Sequence, residues 1–414
     1  MNRREFLRSS VGVASVGWFG GLASALADDP KRQHSCILLW MAGGPSQLDT
    51  FDPKPDHANG GSFKSIETAV PGIRIGEHLP GVAQQMKHLS IVRSMATKEG
   101  DHGRATTHLR TGYLPQGSIQ FPTLGALIAH EHDRKDSDLP SFVSIGSSGG
   151  SPGFLGPRYA PLVVGAGSDG ELKVEDLDRP SKISLGRAEE RLSLLRETEA
   201  EFLNSRPGVG TDSHRNAYDQ AVRLMRESAA RAFDLSAEPD ALKAKYGRSR
   251  FGQGCLLARR LVERGVPFID VTLGGWDTHD NNFEQVKNLC GTLDAGWSTL
   301  MTDLKERGLL ERTTVVWMGE FGRTPVINPR QGRDHYPNAW SVVLGGAGVK
   351  GGLVHGRTSS DGMTVEENPI AVPDLIATIC LALGVDPSKQ NPSNVNRPIR
   401  IADPNAKPMR EILA

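Results

Sequence analysis

The stretch that most constrains the fold is TTVVWMGEFGRTP, which begins at Thr313. Its first six residues are apolar or β-branched, long enough for a buried strand and too short for a helix. The run ends against Glu320, and Gly322 and Pro325 then break the chain. An acid at the carboxyl end of a buried strand sits where open α/β sheets present their ligands. Asp334 and His335 come just before a second apolar run at 339–344. Two strands are therefore expected to bring Glu320, Asp334 and His335 to one sheet edge.

A chain of 414 residues can bury a large core, read here as one sizeable α/β domain with an insertion. Its 48 Lys and Arg balance 48 Asp and Glu, and no basic block is interleaved with aromatics. This excludes the usual nucleic-acid footprint and leaves a small polar or anionic ligand open.

At the N-terminus, NRREFLR is a twin-arginine pattern, followed by a small, apolar run and Ala25-Leu26-Ala27 as a cleavage site. Residues 1–27 are read as an export signal, leaving a mature domain of 28–414 that is periplasmic or secreted. No later segment has the length and apolarity of a bilayer span. Cys36, Cys255, Cys290 and Cys380 form no C-x-x-C pair and read as small buried hydrophobes. An oxidising compartment permits a disulfide, but spacing alone names no pair.

Other strand ends also carry polar groups. Residues 36–41 read as the first strand, turned by Gly43-Gly44-Pro45, and Ser46, Asp49 and Asp52 follow. The two carboxylates read equally as cation ligands or as a cap and a turn residue. A strand at 89–93 leads through EGDHG into a helix at 104–110 closed by Thr111-Gly112. That places Asp101 and His102 at a helix N-terminus, where free amides favour an anion. A capping or packing role for His102 stays open, and His108 reads as structural. The loop SSGGSPG after a strand at 141–145 lacks the lysine of a nucleotide loop and is assigned no cofactor.

Residues 181–247 read as a helical insertion, packed on the sheet or gating the site, with a separate interaction module as the alternative. A helix at 252–264 and a strand at 267–273 precede Trp276-Asp277-Thr278-His279-Asp280. Asp277 and His279 can approach one cation. The bland alternative is an Asx turn, with Asp280 or Asn281 capping a helix from Asn282. A last helix at 373–383 and a Pro- and Asn-rich tail that wraps the surface complete the chain.

Carboxylates and imidazoles converging at strand ends are what a two-metal hydrolytic site requires. The strings LARRLVERGVPFIDVTLGGWDTHDNNF, DLKERGLLERTTVVWMGEFGRTP, GRDHYP and GAGVKGGLVHG carry a resemblance to the domain-of-unknown-function 1501 family of exported bacterial proteins. That family is similar in pattern to the alkaline phosphatase and sulfatase superfamily. The resemblance implies an alkaline phosphatase-like α/β fold, a large, mainly parallel sheet sandwiched between helices. It also implies a divalent metal such as zinc, calcium or manganese, and a small anionic ester substrate; it names no protein partner.

Residue by residue, the resemblance implies that Asp49 is the first-strand metal carboxylate, Glu320 the acid after the later strand and His335 the final ligand histidine. Asp277 and His279 would hold the other metal. His102 falls where relatives carry a Ser, Thr or modified Cys nucleophile, and Phe321 replaces a customary histidine. The C-x-P-S-R pattern of formylglycine sulfatases is absent.

The resulting expectation is one cation on Asp277, His279 and His335, and a second near Asp49, His102 and Glu320. Arg104 and Arg323 are expected to grip the anion, Arg323 reading equally as a structural ion-pair partner; His102 reads as metal ligand or nucleophile, with Ser46, Thr106 and Thr107 as reserve nucleophiles if it only binds metal. Three readings follow: a metal-dependent hydrolase of phosphate or sulfate esters, a silent binding protein on the same scaffold, and an envelope assembly partner.

Overall fold

Short apolar runs separated by turns build one sheet. Its strands are β1 (Ser35–Met41), β2 (Leu89–Met95), β3 (Phe142–Ile145), β4 (Leu162–Ala166), β5 (Leu172–Lys173), β6 (Phe268–Leu273), β7 (Thr313–Met318), β8 (Trp340–Gly346) and β9 (Leu353–His355). Across the sheet the order is β9, β2, β8, β7, β1, β6, β3, β4, β5. The computed structural model describes residues 34–134, 137–167, 171–174, 177, 182–205, 221–225 and 227–414. The expected signal segment 1–27 and the middle of the expected insertion lie outside these residues.

The sheet is mainly parallel, as expected. β1 runs parallel to both β6 and β7, and β3 runs parallel to β6 and β4. β8 is antiparallel to both β7 and β2. That reversal brings the N-terminus of β8 to the rim where β1, β2, β6 and β7 end. Residues before β8 and residues after those four strands therefore meet.

Strand alternation explains the two cores. Along β1, Ile37, Leu39 and Met41 face one side with Val315 and Trp317 of β7. They pack against Leu257 and Leu261 of α3 (Arg250–Glu263) and Trp297 and Leu300 of α4 (Asn282–Glu306). Cys36, Leu38 and Trp40 face the other side, with Leu127 of α2 (Leu124–Glu131) and Leu375 and Ile379 of α5 (Val372–Ala382). Strands buried on both faces read as unbroken apolar runs, which is why these were legible.

All four cysteines are buried and free. Burial pushes their thiols up, that of Cys380 to about 12, so they pack as small apolar groups. No helix among the described residues is long and apolar enough to cross a membrane. The tail pairs Gln390–Pro392 with Pro398–Arg400 and lies over the segment near Tyr113, whose hydroxyl donates to Arg400 O at 2.8 Å.

Within 181–247, the expected insertion, the described residues include helices Leu185–Ser205, Glu227–Phe233 and Asp240–Tyr246. Its C-terminal part docks on α3, where Arg259 reaches Glu238 at 2.7 Å and Asp303 at 2.8 Å, and Ala232 and Phe233 enter the core. Asn281, one of the two expected residues, is the N-cap of α4, but the side-chain Asx bond does not form. Asn281 adopts a left-handed conformation with no side-chain cap bond, and Asp280 pairs with Arg330 at 2.8 Å.

Candidate metal centre

The helix α1 (His102–Thr111) follows β2 and starts two residues before its expected first turn. Asp101 is its N-cap, accepting from Arg104 N at 3.0 Å, and Gly112 closes it at φ 78°. Glycine suits that left-handed closure. Capping fixes the first turn and so presents the His102 ring at the rim. Asp101→Ala is expected to cost about 1 kcal/mol of stability, read by urea unfolding, with the protein still folded.

Arg323 and His335 are cross-strand partners in a two-stranded ribbon of Gly322–Arg323 and His335–Tyr336. Asp277 and His279 arrive from the turn after β6 and Glu320 from the end of β7. Gly43 lies between them at φ 114°, so close to Trp276 and Asp277 that a Cβ would collide with their backbone. The Gly43-Gly44 turn is thus required by close approach.

The side chains converge on one atom. Asp277 Oδ1 lies 3.3 Å from His102 Nε2, 3.0 Å from His279 Nε2 and 3.2 Å from His335 Nε2. Arg323 Nη2 donates to the same oxygen. On its far side, each imidazole is held by an acceptor. His102 Nδ1 meets Glu320 Oε1 at 2.7 Å, His279 Nδ1 meets Asp334 Oδ1 at 2.7 Å, and His335 Nδ1 meets Gly100 O at 2.8 Å. Acceptors behind Nδ1 with Nε2 turned inward is the arrangement by which proteins orient metal-ligating histidines.

Phe321 packs against two of these rings, with centroids 4.8 Å from His102 and 4.7 Å from His335. Phe321 is tilted against both imidazoles, which meet each other edge-on with centroids 4.4 Å apart. Glu320, almost fully buried, also accepts from Gly43 N at 2.8 Å. Its Oε2 and His102 Nε2 are buried without a hydrogen-bond partner.

The electrostatics are consistent with a cation-binding cluster. Burial pushes Asp277 toward protonation, yet the hydrogen bond and charge of Arg323, with His102 and His335 alongside, hold it down at about 2. Asp334 is also lowered, chiefly by its bond to His279. His102 is raised, chiefly by its bond to Glu320 and against the effect of burial. Around this oxygen the Nε2 atoms of His279 and His335 sit 3.1 Å apart. Ligand atoms of His102, Asp277 and His335 lie within 4.8 Å of one another, so the donor set fits a metal ion.

Not every expected residue joins. Asp49 is buried beneath the rim, where Arg333 Nε reaches its Oδ2 at 2.8 Å and Arg333 Nη2 its Oδ1 at 3.1 Å. Asn282 Nδ2 also donates to Oδ2 at 2.8 Å. Its lone pairs are taken, so the expected second centre of Asp49, His102 and Glu320 is not assembled. Asp52 pairs with Lys54 at 3.1 Å and Arg93 at 3.5 Å. Arg104 points its guanidinium at Glu99, with bonds of 2.7 and 3.0 Å.

Among the reserve nucleophiles, Ser46 is buried with its Oγ accepting from Asp49 N, and the Thr107 hydroxyl donates back to Gly103 O. The orienting groups Asp334 and Gly100 O were absent from the expected ligand set. A signal for Asp334 did exist, since it immediately precedes His335 in GRDHYP.

Residues 33–413 match the family described as protein of unknown function (DUF1501). The chain belongs to that family. No curated protein matches this DUF1501 member in sequence. Among solved structures it is similar to a protein of the alkaline phosphatase superfamily from Vibrio parahaemolyticus, at 10% identity and TM-score 0.41, covering 85% of this chain and 67% of that one. It is also similar to the PsFucS1 sulfatase from Pseudoalteromonas sp., at 12% identity and TM-score 0.40, covering 87% and 70%. A third is the alkaline phosphatase of the Antarctic bacterium TAB5, at 14% identity and TM-score 0.34, covering 80% and 96%.

Proposed function

We propose that this DUF1501 protein is an exported hydrolase of phosphate or sulfate esters that works with one divalent cation held by His102, Asp277 and His335. The observation that carries the reading is the common aim of the imidazoles: Nδ1 anchored behind, Nε2 turned onto one carboxylate oxygen. Two nitrogens and a carboxylate oxygen suit zinc or manganese, whereas calcium prefers oxygen ligands throughout.

When bound, such an ion supplies Lewis acidity at an ester oxygen and lowers the pKa of its water. The protein's own groups prepare the place. Glu320 and Gly100 O fix two imidazoles in the ligating tautomer, and Asp334 fixes His279 beside them. Arg323 keeps Asp277 ionised. His102, held at Nδ1 by Glu320 with Nε2 turned to the ion's place, acts as a ligand, so no serine- or formylglycine-type covalent step is assigned to this position. The first amides of α1 add a dipole that favours an anionic substrate. Asp277 is 46% exposed while Arg323 is fully buried, giving a solvent-facing mouth over a rigid floor. The twin-arginine segment supports export in the folded state.

The test is turnover of p-nitrophenyl phosphate and p-nitrophenyl sulfate before and after chelation. Hydrolysis of at least one ester is expected, lost on metal removal and restored by zinc or manganese. Turnover that persists in protein shown by elemental analysis to be metal-free contradicts the proposal.

A further inference from the structure

We infer that Arg323 is a built-in second cation, which restricts the centre to a single bound ion. The inference rests on the metal-centre reading above and concerns how many ions the site accepts.

Arginine carries five N–H donors in a fixed fork, and here each has an acceptor. Nε donates to Gly44 O at 2.9 Å, and Nη2 to Gly43 O and Asp277 Oδ1. Nη1 serves Arg333 O at 3.2 Å and His279 Nε2 at 3.4 Å. The side chain has no exposed surface, and cross-strand pairing with His335 fixes its backbone. With no donor free and no opening to solvent, Arg323 does not grip a substrate anion. It is a positioning residue.

Its location decides the stoichiometry. A second ion would have to sit on the flank of Asp277 that faces His279 Nε2, the ring being held from behind by Asp334 at 2.7 Å. The guanidinium occupies that flank, bound to Asp277 and facing His279. His279 Nε2 thus faces the arginine, and the mutually close ligand group is His102, Asp277 and His335. A divalent ion beside His279 would meet a buried positive charge across a few ångströms of poorly screened space. Guanidinium is always charged and hydrates weakly, which suits it to permanent burial in this role.

The experiment is titration of the full mature chain with zinc alone and manganese alone, reading ions per chain by calorimetry and by elemental mass spectrometry after desalting. Wild type and Arg323→Lys are expected to bind one ion. Arg323→Ala, checked for folding by circular dichroism, is expected to bind two, because Asp277 Oδ1 and His279 Nε2 lose the guanidinium together. Two ions in the wild type overturn the inference and leave the metal reading standing, as does a folded Arg323→Ala that stays at one. No ion in the wild type overturns the metal reading itself, and the inference falls with it. If Arg323→Ala does not fold, the wild-type and Arg323→Lys stoichiometries decide.

Discussion

Asp49→Ala is expected to cost about 3–5 kcal/mol of folding stability and to leave the ion content of the folded protein unchanged. Both Asp49 and Arg333 are fully buried and pair bidentately. Removing one partner of such a pair leaves an uncompensated charge where water cannot reach it, and that penalty exceeds the lost attraction. Arg333 keeps acceptors at Thr324 O, Pro325 O and Asn59 O, but these are neutral dipoles. Asn282 also loses an acceptor, and Thr278, whose hydroxyl donates to Asn282 Oδ1 at 2.6 Å, sits in the same network. Domains of this kind have about 5–15 kcal/mol in hand, so the variant should unfold at markedly lower urea. A small stability loss accompanied by loss of the ion would instead make Asp49 a ligand.

This pair also shows where the sequence stops being legible. The apolar runs of β1, β6 and β7, and the polar groups behind them, are local patterns, and they placed Asp277, His279, Glu320 and His335 at one rim. The partner of Asp49 lies 284 positions away, and no local pattern says whether an acid near a strand end will face an ion or an arginine. The same holds for Arg104 and Arg323. One is claimed by Glu99 five positions earlier, the other by carbonyls and an acid that meet only once the sheet has formed. The convergence of His102 on Asp277 depends on β2 and β6 ending at the same rim. β8, lying antiparallel between β2 and β7, sets the distance between their ends. The side-chain cap of α4 is missing for a related reason: Asn281 sits at the N-cap in a left-handed conformation with no side-chain bond, and Asp280 is paired with Arg330.

The second large effect concerns the ligands themselves. Replacing both His102 and His335 by alanine removes two of three donors from the mutually close group and should abolish stable ion binding. The loss should exceed the roughly 10–100-fold that follows removal of a ligand's hydrogen-bonding partner. Asp334→Asn, which perturbs only the partner of His279, is the milder comparison. This histidine pair is a cleaner choice than any variant lacking Asp277, whose carboxylate also neutralises the buried Arg323. Without Asp277, a change in metal content could follow from displacement of the guanidinium. With Asp277 kept, Arg323 retains its counter-charge and Glu320 retains its bond from Gly43 N, so the fold should hold.

The measurement that bears most directly on the account is elemental mass spectrometry of mature wild-type protein, purified without chelator, beside His102→Ala, His335→Ala. One zinc or manganese per wild-type chain, absent from a double variant with an unchanged circular dichroism spectrum, is the predicted result. A wild type that takes up neither ion when challenged with excess, or a folded double variant that keeps its ion, contradicts it.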